Sequence, residues 1–192
     1  MHPYPGRFFY MESAGQAGYM EDESLCVRCS RLEKTCCQRS EIYVTPGDVE
    51  RIGEQLERFD FFEYRLPANA DYADQDDDPA WQEYVFQADG TRRVLRRRPG
   101  GDCMMLGPHG CRLPWEVRPL VCRLYPYDYD ERGIKPQLLH GCPVHLLKPG
   151  ESLIAVLDMN IDAARRWHGQ LYEEIRLETM ANVDRLDLRP AC

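Results

Sequence analysis

The stretch CVRCSRLEKTCC, residues 26–37, places four cysteines within twelve residues. Thiolate is a soft, charged metal ligand, and the two-residue gap between Cys26 and Cys29 lets one turn present both sulfurs to a tetrahedral centre. Cys36 and Cys37 return after a gap of six residues. Because adjacent side chains point in divergent directions, we expect Cys36 and Cys37 to serve different partners. The stretch therefore predicts a metal site that more distant residues complete.

The second half of the chain supplies four more candidate ligands, Cys103, Cys111, Cys122 and Cys142. Eight cysteines allow two sites of four ligands each, with Cys192 left over near the carboxyl end. They also allow one four-ligand centre beside several inert thiols, because free cysteine is among the most buried residue types. The count leaves both arrangements open. The candidate metal and cofactor ligands are therefore Cys26, Cys29, Cys36, Cys37, Cys103, Cys111, Cys122 and Cys142.

Basic residues gather around both cysteine groups, although the chain is acidic overall. They are Arg28, Arg31, Lys34 and Arg39 near the first group and Arg112, Arg118 and Arg123 near the second. They outnumber the acidic residues of the same segments, Glu33 and Glu116. A centre of four thiolates carries negative charge and requires nearby donors. The charge pattern therefore favours metal ligands over inert thiols.

Composition limits the class of protein. A chain of 192 residues suits one domain with a sizeable core. Its 32 acidic and 24 basic residues give a net charge of -8, which argues against coating nucleic acid or an anionic membrane. No segment has the pattern of a signal peptide or a membrane span, so we expect a cytoplasmic protein. In a reducing cytosol, clustered cysteines indicate metal binding or catalysis rather than disulfides.

Helix and hairpin signals surround the cysteines. Thr45, Pro46 and Asp48 have the pattern of a helix start, with Thr45 as the N-cap, and an apolar stripe follows at helical spacing. Residues 41–44 predict a short strand before this helix. Asp89 and Gly90 predict the turn of a hairpin between residues 84–86 and 93–95, with the arginines of residues 92–98 on a solvated strand. A second hairpin is expected across residues 127–138.

The remaining segments complete an α+β fold. We predict a small single domain with an irregular cysteine-ligated metal-binding core, short hairpins and peripheral helices. Residues 1–24 are expected to form a loose arm, 25–148 the metal-binding domain, 149–180 a helical segment packed on it, and 181–192 a mobile tail. Within the helical segment, one helix is predicted from about Ser152 to Thr179. The aromatic residues of positions 59–64 are expected to pack in the core.

Several ordered motifs resemble the YkgJ-type cysteine-cluster family, whose name pattern is CxxCxxCC. The run RPLVCRLYP, residues 118–126, resembles the RPxxCRxxP element of that family, and Cys103 and Cys111 match the two cysteines before it. The first cysteine stretch and the segment with Thr45 and Asp48 match as well. One departure is the six-residue gap before Cys36. The resemblance implies iron-sulfur or zinc binding.

The leading prediction is a protein that binds an iron-sulfur cluster, of the [4Fe-4S] type, with a role in redox chemistry or in the modification or maturation of a partner protein. One alternative is a structural zinc module that mediates interactions, with His145 as a reserve ligand at a short gap from Cys142. Another is a cluster-dependent group-transfer enzyme that acts on a partner protein, because some larger members of the resembling family are flagellin lysine methylases. The chain has no GxGxxG loop.

Overall fold

The computed structural model describes residues 25–187 except 33, 70, 71 and 73–77, with side chains as far as residue 177. The predicted arm, residues 1–24, and residues 188–192 lie outside this part. The described part is a small α+β structure with seven helices, three two-stranded antiparallel pairs and no closed sheet, which confirms the predicted class. Among the described helices, none combines the length and the apolar composition that a bilayer crossing requires.

The helices are short except for the last one. They are α1 (Leu25–Leu32), α2 (Cys36–Arg39), α3 (Pro46–Leu56), α4 (Pro79–Val85), α5 (Leu120–Leu124), α6 (Leu153–Val156) and α7 (Ile161–Asp187). The strand pairs are β1 (Phe62–Arg65) with β2 (Arg92–Leu95), β3 (Leu106–Gly107) with β4 (Gly110–Cys111), and β5 (Tyr127–Asp130) with β6 (Gly133–Leu138). A 3-10 turn lies between β4 and α5 at Trp115–Val117, and another lies between β6 and α6 at Val144–Leu146.

The predicted start of α3 is confirmed. Thr45 has an extended backbone, and its side chain accepts a hydrogen bond from the Asp48 amide at 2.9 Å. Asp48 Oδ2 accepts in return from the Thr45 amide at 3.1 Å. This reciprocal capping satisfies two backbone donors at the helix start. The stripe behind it is buried as expected, with Ile52 fully enclosed.

Asp48 also joins α3 to α5. Its carboxylate is fully buried and accepts hydrogen bonds from the Leu120 amide at 3.1 and 3.3 Å. Leu120 is the first residue of α5, so the carboxylate satisfies a backbone donor at the start of that helix. Arg51 Nη2 donates to Asp48 Oδ1 at 2.7 Å and supplies the opposite charge. One side chain thereby fixes the starts of two helices relative to each other.

The first arm of the hairpin predicted around Asp89 and Gly90 is wrong. Residues 79–85 form α4 instead, because Asp78 accepts a hydrogen bond from the Trp81 amide at 3.2 Å and Pro79 occupies the first helical position. The turn itself is present, but only one bridge, Phe86 to Arg92, closes it. The partner of β2 is β1, in the register Phe62 to Leu95 and Arg65 to Arg92. The strand predicted at residues 41–44 amounts to a single bridge.

The expectation of a solvated arginine strand is also wrong for its first two residues. Arg92 is 2% exposed, donates to Glu41 Oε2 at 2.8 Å, and stacks on the Tyr72 ring with its guanidinium carbon 4.3 Å from the centroid. Arg93 is buried as well and donates to the Tyr64 hydroxyl at 2.7 Å. The paired carboxylate and the aromatic faces compensate the burial of these cations.

The carboxyl-terminal part agrees with the prediction at β5 and β6, which form the expected hairpin. The single helix predicted from about Ser152 to Thr179 is instead two helices. Asn160 Oδ1 accepts from the Asp162 and Ala163 amides at 2.8 and 3.2 Å and caps a new start, while Asp158 adopts a positive φ of 52° in the break. The second helix, α7, continues beyond the predicted end to Asp187.

Two apolar clusters form the core. The first includes Tyr43, Trp81, Val85, Leu120, Leu124, Leu171 and Ile175, and it packs α4, α5 and α7 together. The second includes Ile42, Val44, Ile52, Phe61, Leu95, Cys103, Met105, Leu106 and Leu113, and Cys37, Cys111 and Cys122 pack against it. Phe59 was expected in the core but is 58% exposed. Half of the candidate ligands therefore belong to an apolar cluster.

Replacing Asp48 with alanine leaves the Leu120 and Thr45 amides without their acceptor and Arg51 without one of its carboxylates. We expect Asp48→Ala to lower the free energy of unfolding by about 3–5 kcal/mol in urea denaturation, as for a broken buried pair. Asp162→Ala is the control, because Asp162 pairs with Arg165 at the exposed surface. Equal stability of the Asp48→Ala and Asp162→Ala variants would contradict this assignment.

Glu174 ties α7 to the same network and makes stability depend on pH. Burial tends to raise its pKa, but hydrogen bonds from Arg51 at 2.6 Å, from Thr45 and from Gln170 at 2.7 Å outweigh burial and lower the pKa below 4.5. The unfolded state then binds more protons, so this contribution is present above pH 4.5 and is lost as pH falls through the folded pKa.

We therefore expect Glu174→Gln to reduce the loss of stability on acidification. The measurement is urea denaturation at a series of pH values from neutral to acidic, with the slope of free energy against pH compared between variant and wild type. A slope in the acidic range that is unchanged by Glu174→Gln would show that this carboxylate does not contribute.

Candidate metal centre

The eight predicted ligands lie on short elements of the fold. Cys26 and Cys29 are on α1, Cys36 and Cys37 begin α2, Cys103 bridges to Arg97, Cys111 ends β4, Cys122 is inside α5, and Cys142 bridges to His140. All eight are free thiols, and no disulfide joins them. Cys192 lies outside the described residues.

Backbone contacts join the two cysteine groups directly. The Cys103 amide donates to the Cys37 carbonyl at 2.9 Å. The Arg97 guanidinium reinforces this junction, because it donates to the Gln38 carbonyl at 3.0 Å and to the carbonyls of Ser40 and Gly101. One arginine therefore connects the end of α2 to the loop before Cys103.

The loop that carries Cys142 is held against α1 and α2. Arg28 donates to the Leu146 carbonyl at 2.5 Å and pairs with Glu151 at 3.2 Å. Arg39 donates to the Gly141 carbonyl at 3.0 Å. Arg28 and Arg39, two of the basic residues near the first cysteines, thus connect α1 and α2 to the loop that carries Cys142.

Packing divides the eight thiols into two groups of four. Cys37, Cys103, Cys111 and Cys122 belong to the second apolar cluster or pack against it, and we call them the core group. The other four thiols do not, and we call them the rim group: Cys26, Cys29, Cys36 and Cys142. Electrostatic interactions cross this division, because Cys36 raises the pKa of Cys26 and Cys142 and also that of Cys37, Cys103 and Cys122. The two groups therefore adjoin at Cys36.

Cys36 and Cys37 stand at the boundary between the groups. The Cys37 thiol donates a hydrogen bond to the Cys36 sulfur, and this bond lowers the pKa of Cys36 below its ordinary value against the effect of burial, with help from Arg39. The same bond, together with burial, raises the pKa of Cys37 far above its ordinary value. Neighbouring residues of one short helix therefore have opposite ionisation behaviour.

Burial raises the pKa of the Cys103 and Cys122 thiols, so these two thiols favour the protonated form. Arg97 opposes this effect at Cys103, as Arg118 does at Cys26. The predicted role of Arg123 beside the thiols finds no such support. Its guanidinium lies over the Trp167 ring, 5.6 Å from the centroid.

No group of three or more described histidine, cysteine, aspartate or glutamate side chains has a geometry that could hold a single metal ion. His145, the reserve ligand, is exposed on the 3-10 turn after Cys142.

Tyr125 is a contributor to the site that the sequence analysis missed. Its hydroxyl donates a hydrogen bond to the Cys142 sulfur, which partly opposes the effect of burial and leaves the pKa of Cys142 at about 11. The same hydroxyl lies where a Cβ on residue 141 would stand, at 2.6 Å, so only glycine fits there. A tyrosine inside the RPxxCRxxP-like element gives no ligand signal in sequence.

A cleft of about 340 Å³ opens beside the core group. Its wall includes Ser30, Gln38, Arg98, Asp102, Gly107 and Arg112. We call it the arginine cleft.

Comparisons with known proteins returned no match for this chain among family models, curated proteins or solved structures.

Two glycine substitutions distinguish the effect of the Tyr125 contact on stability from the effect of backbone strain. Gly141 and Gly133 have φ values of +139° and +144°, but nothing lies within 4 Å of a Cβ at Gly133. We expect Gly141→Ala to destabilise the fold by ~1–3 kcal/mol more than Gly133→Ala in urea denaturation, because the added methyl group meets the Tyr125 hydroxyl. In a Tyr125→Phe background the difference should shrink. If Gly141→Ala and Gly133→Ala lower the free energy of unfolding equally, the Tyr125 hydroxyl does not lie against residue 141.

Proposed function

We propose that this chain binds iron-sulfur clusters through its cysteines, with the rim group and the core group as two sets of four ligands. The observation that supports this most strongly is that eight free thiols lie near enough to influence one another, while only four of them pack in the second apolar cluster. Four cysteine thiolates are the usual ligand set of a [2Fe-2S] or [4Fe-4S] cluster. The composition of each group fits such a cluster.

Both kinds of centre take four thiolates. Zinc requires four sulfurs about 2.3 Å from one point, whereas an iron-sulfur cluster holds its ligands around a larger centre. The ligands must be deprotonated, so binding must overcome the raised pKa values of Cys103 and Cys122. Iron, zinc and sulfide content therefore distinguishes the two.

The surrounding side chains are suited to holding negative charge. Arg97 and Arg118 face the thiols of Cys103 and Cys26, and the Tyr125 hydroxyl donates to Cys142. Donors to cluster sulfurs adjust the reduction potential. A bound cluster would supply one-electron transfer, and we propose a redox role or a role in modifying or maturing a partner protein in the cytoplasm. The resemblance to the YkgJ-type family supports metal binding by the same residues.

A structural zinc module is the second candidate. Cys26 and Cys29 lie three positions apart on α1 and therefore on one face of the helix. Zinc at this pair would order the cysteine segments for contact with a partner protein, and chelation would unfold them. A cluster-dependent group-transfer enzyme is the third candidate, favoured by the position of the arginine cleft beside the core group.

Metal and sulfide analysis of the full chain, purified without oxygen, tests the proposal. Two [4Fe-4S] clusters would give about eight iron and eight sulfide per chain with brown absorption. Treatment with a chelator after oxidation should remove the colour. Cys192→Ser serves as the control, because Cys192 belongs to neither group, and its iron content should equal that of the wild type.

Colourless protein with stoichiometric zinc and no sulfide would replace the cluster proposal with the zinc module. Protein that holds neither metal after anaerobic purification and reconstitution would contradict both.

A further inference from the structure

The arginine cleft is built from residues that flank the candidate ligands. Each of the following wall residues is adjacent in sequence to a cysteine: Ser30 to Cys29, Gln38 to Cys37, Asp102 to Cys103, and Arg112 to Cys111. The cleft thus opens where four cysteine segments meet. Its volume of about 340 Å³ lies in the range of small-molecule sites.

Two like charges converge in this cleft. Arg98 Nη2 and Arg112 Nη2 donate to the same acceptor, the Met104 carbonyl, at 3.2 and 2.7 Å. Arg98 Nη2 also contacts the Leu106 carbonyl. These bonds hold both guanidinium groups against one short segment of backbone, so their mutual repulsion is built into the fold.

Neither cation has an anionic partner within the described part of the chain, even though acidic residues are in excess overall. Asp102, the carboxylate in the cleft wall, accepts instead a hydrogen bond from the side-chain amide of Gln38 at 2.9 Å. By contrast, Arg28, Arg51 and Arg92 each pair with a carboxylate. The Nε and Nη1 donors of both cleft arginines make no hydrogen bond to any other described residue, and they stay available to a ligand.

We propose that the arginine cleft binds the oxyanion of a small molecule, a phosphate or a carboxylate group, between Arg98 and Arg112. Guanidinium groups match these anions with paired N–H donors, and two of them around one anion relieve the repulsion between the cations. The Ser30 side chain lies on the same wall, and its hydroxyl donates to the Val27 carbonyl at 2.8 Å. This inference concerns the protein surface and does not depend on which metal the cysteines bind.

Isothermal titration calorimetry on the full chain tests the proposal, with pyrophosphate and citrate as separate probes at constant ionic strength. We expect one of them to bind with 1:1 stoichiometry and a Kd between about 10 μM and 1 mM. Tighter binding of pyrophosphate identifies a phosphate site, and tighter binding of citrate identifies a carboxylate site.

Arg98→Gln and Arg112→Gln should each weaken binding about tenfold, since each removes a charged donor. Arg165→Gln is the matched control, because it removes an arginine that lies on α7 and pairs with Asp162. Its Kd should equal that of the wild type.

Arg98 and Arg112 also donate to backbone carbonyls, so replacing them can disturb the local fold. A second pair of variants therefore keeps both arginines and changes Ser30. Ser30→Glu adds a negative charge to the cleft wall and should weaken binding about tenfold, whereas the neutral Ser30→Gln should have a much smaller effect. Two results would overturn the proposal. The first is that neither probe binds at a concentration about 10-fold above the upper limit of the expected Kd. The second is that Ser30→Glu and the arginine variants leave the Kd unchanged.

Discussion

The buried carboxylate of Asp48 connects the start of α3 to the start of α5. It caps α3 and accepts the first backbone donor of α5, so it fixes the helix that carries Cys122. Arg51 extends the network from Asp48 to Glu174 on α7. A carboxylate without exposure is tolerated because it has several hydrogen-bond donors and an opposite charge. The position of a candidate ligand is therefore set by a residue that binds no metal.

A second constraint brings the two cysteine segments together. The Cys103 amide donates a hydrogen bond to the Cys37 carbonyl, and Arg97 donates to carbonyls on both segments. These bonds fix α2 relative to the loop before Cys103. The core group then packs as part of the apolar cluster, where burial raises the pKa of the Cys103 and Cys122 thiols. The rim group lies outside that cluster. One fold thus offers two thiol environments, and the same difference would give two bound centres different exposure and different potentials.

Local signals predicted the parts of the fold that depend on near neighbours. The Thr45 cap and the β5–β6 hairpin were predicted because their determining residues lie a few positions apart. Long-range contacts decided the failures: Arg92 is buried because Glu41, distant in sequence, supplies its charge, and Tyr125 reaches Cys142 through the fold. The eight candidate ligands could be named from sequence, but their division into groups could not, because spacing does not show which thiols pack in the second apolar cluster.

We propose that the rim group and the core group bind separate centres. Iron content and electron paramagnetic resonance of two reconstituted variants, Cys26→Ser from the rim group and Cys111→Ser from the core group, distinguish two centres from one. We expect each variant to retain about half of the iron and the spectra of the two variants to differ, as for independent sites. Loss of all iron on either single substitution would contradict it, because one shared centre would then hold the metal.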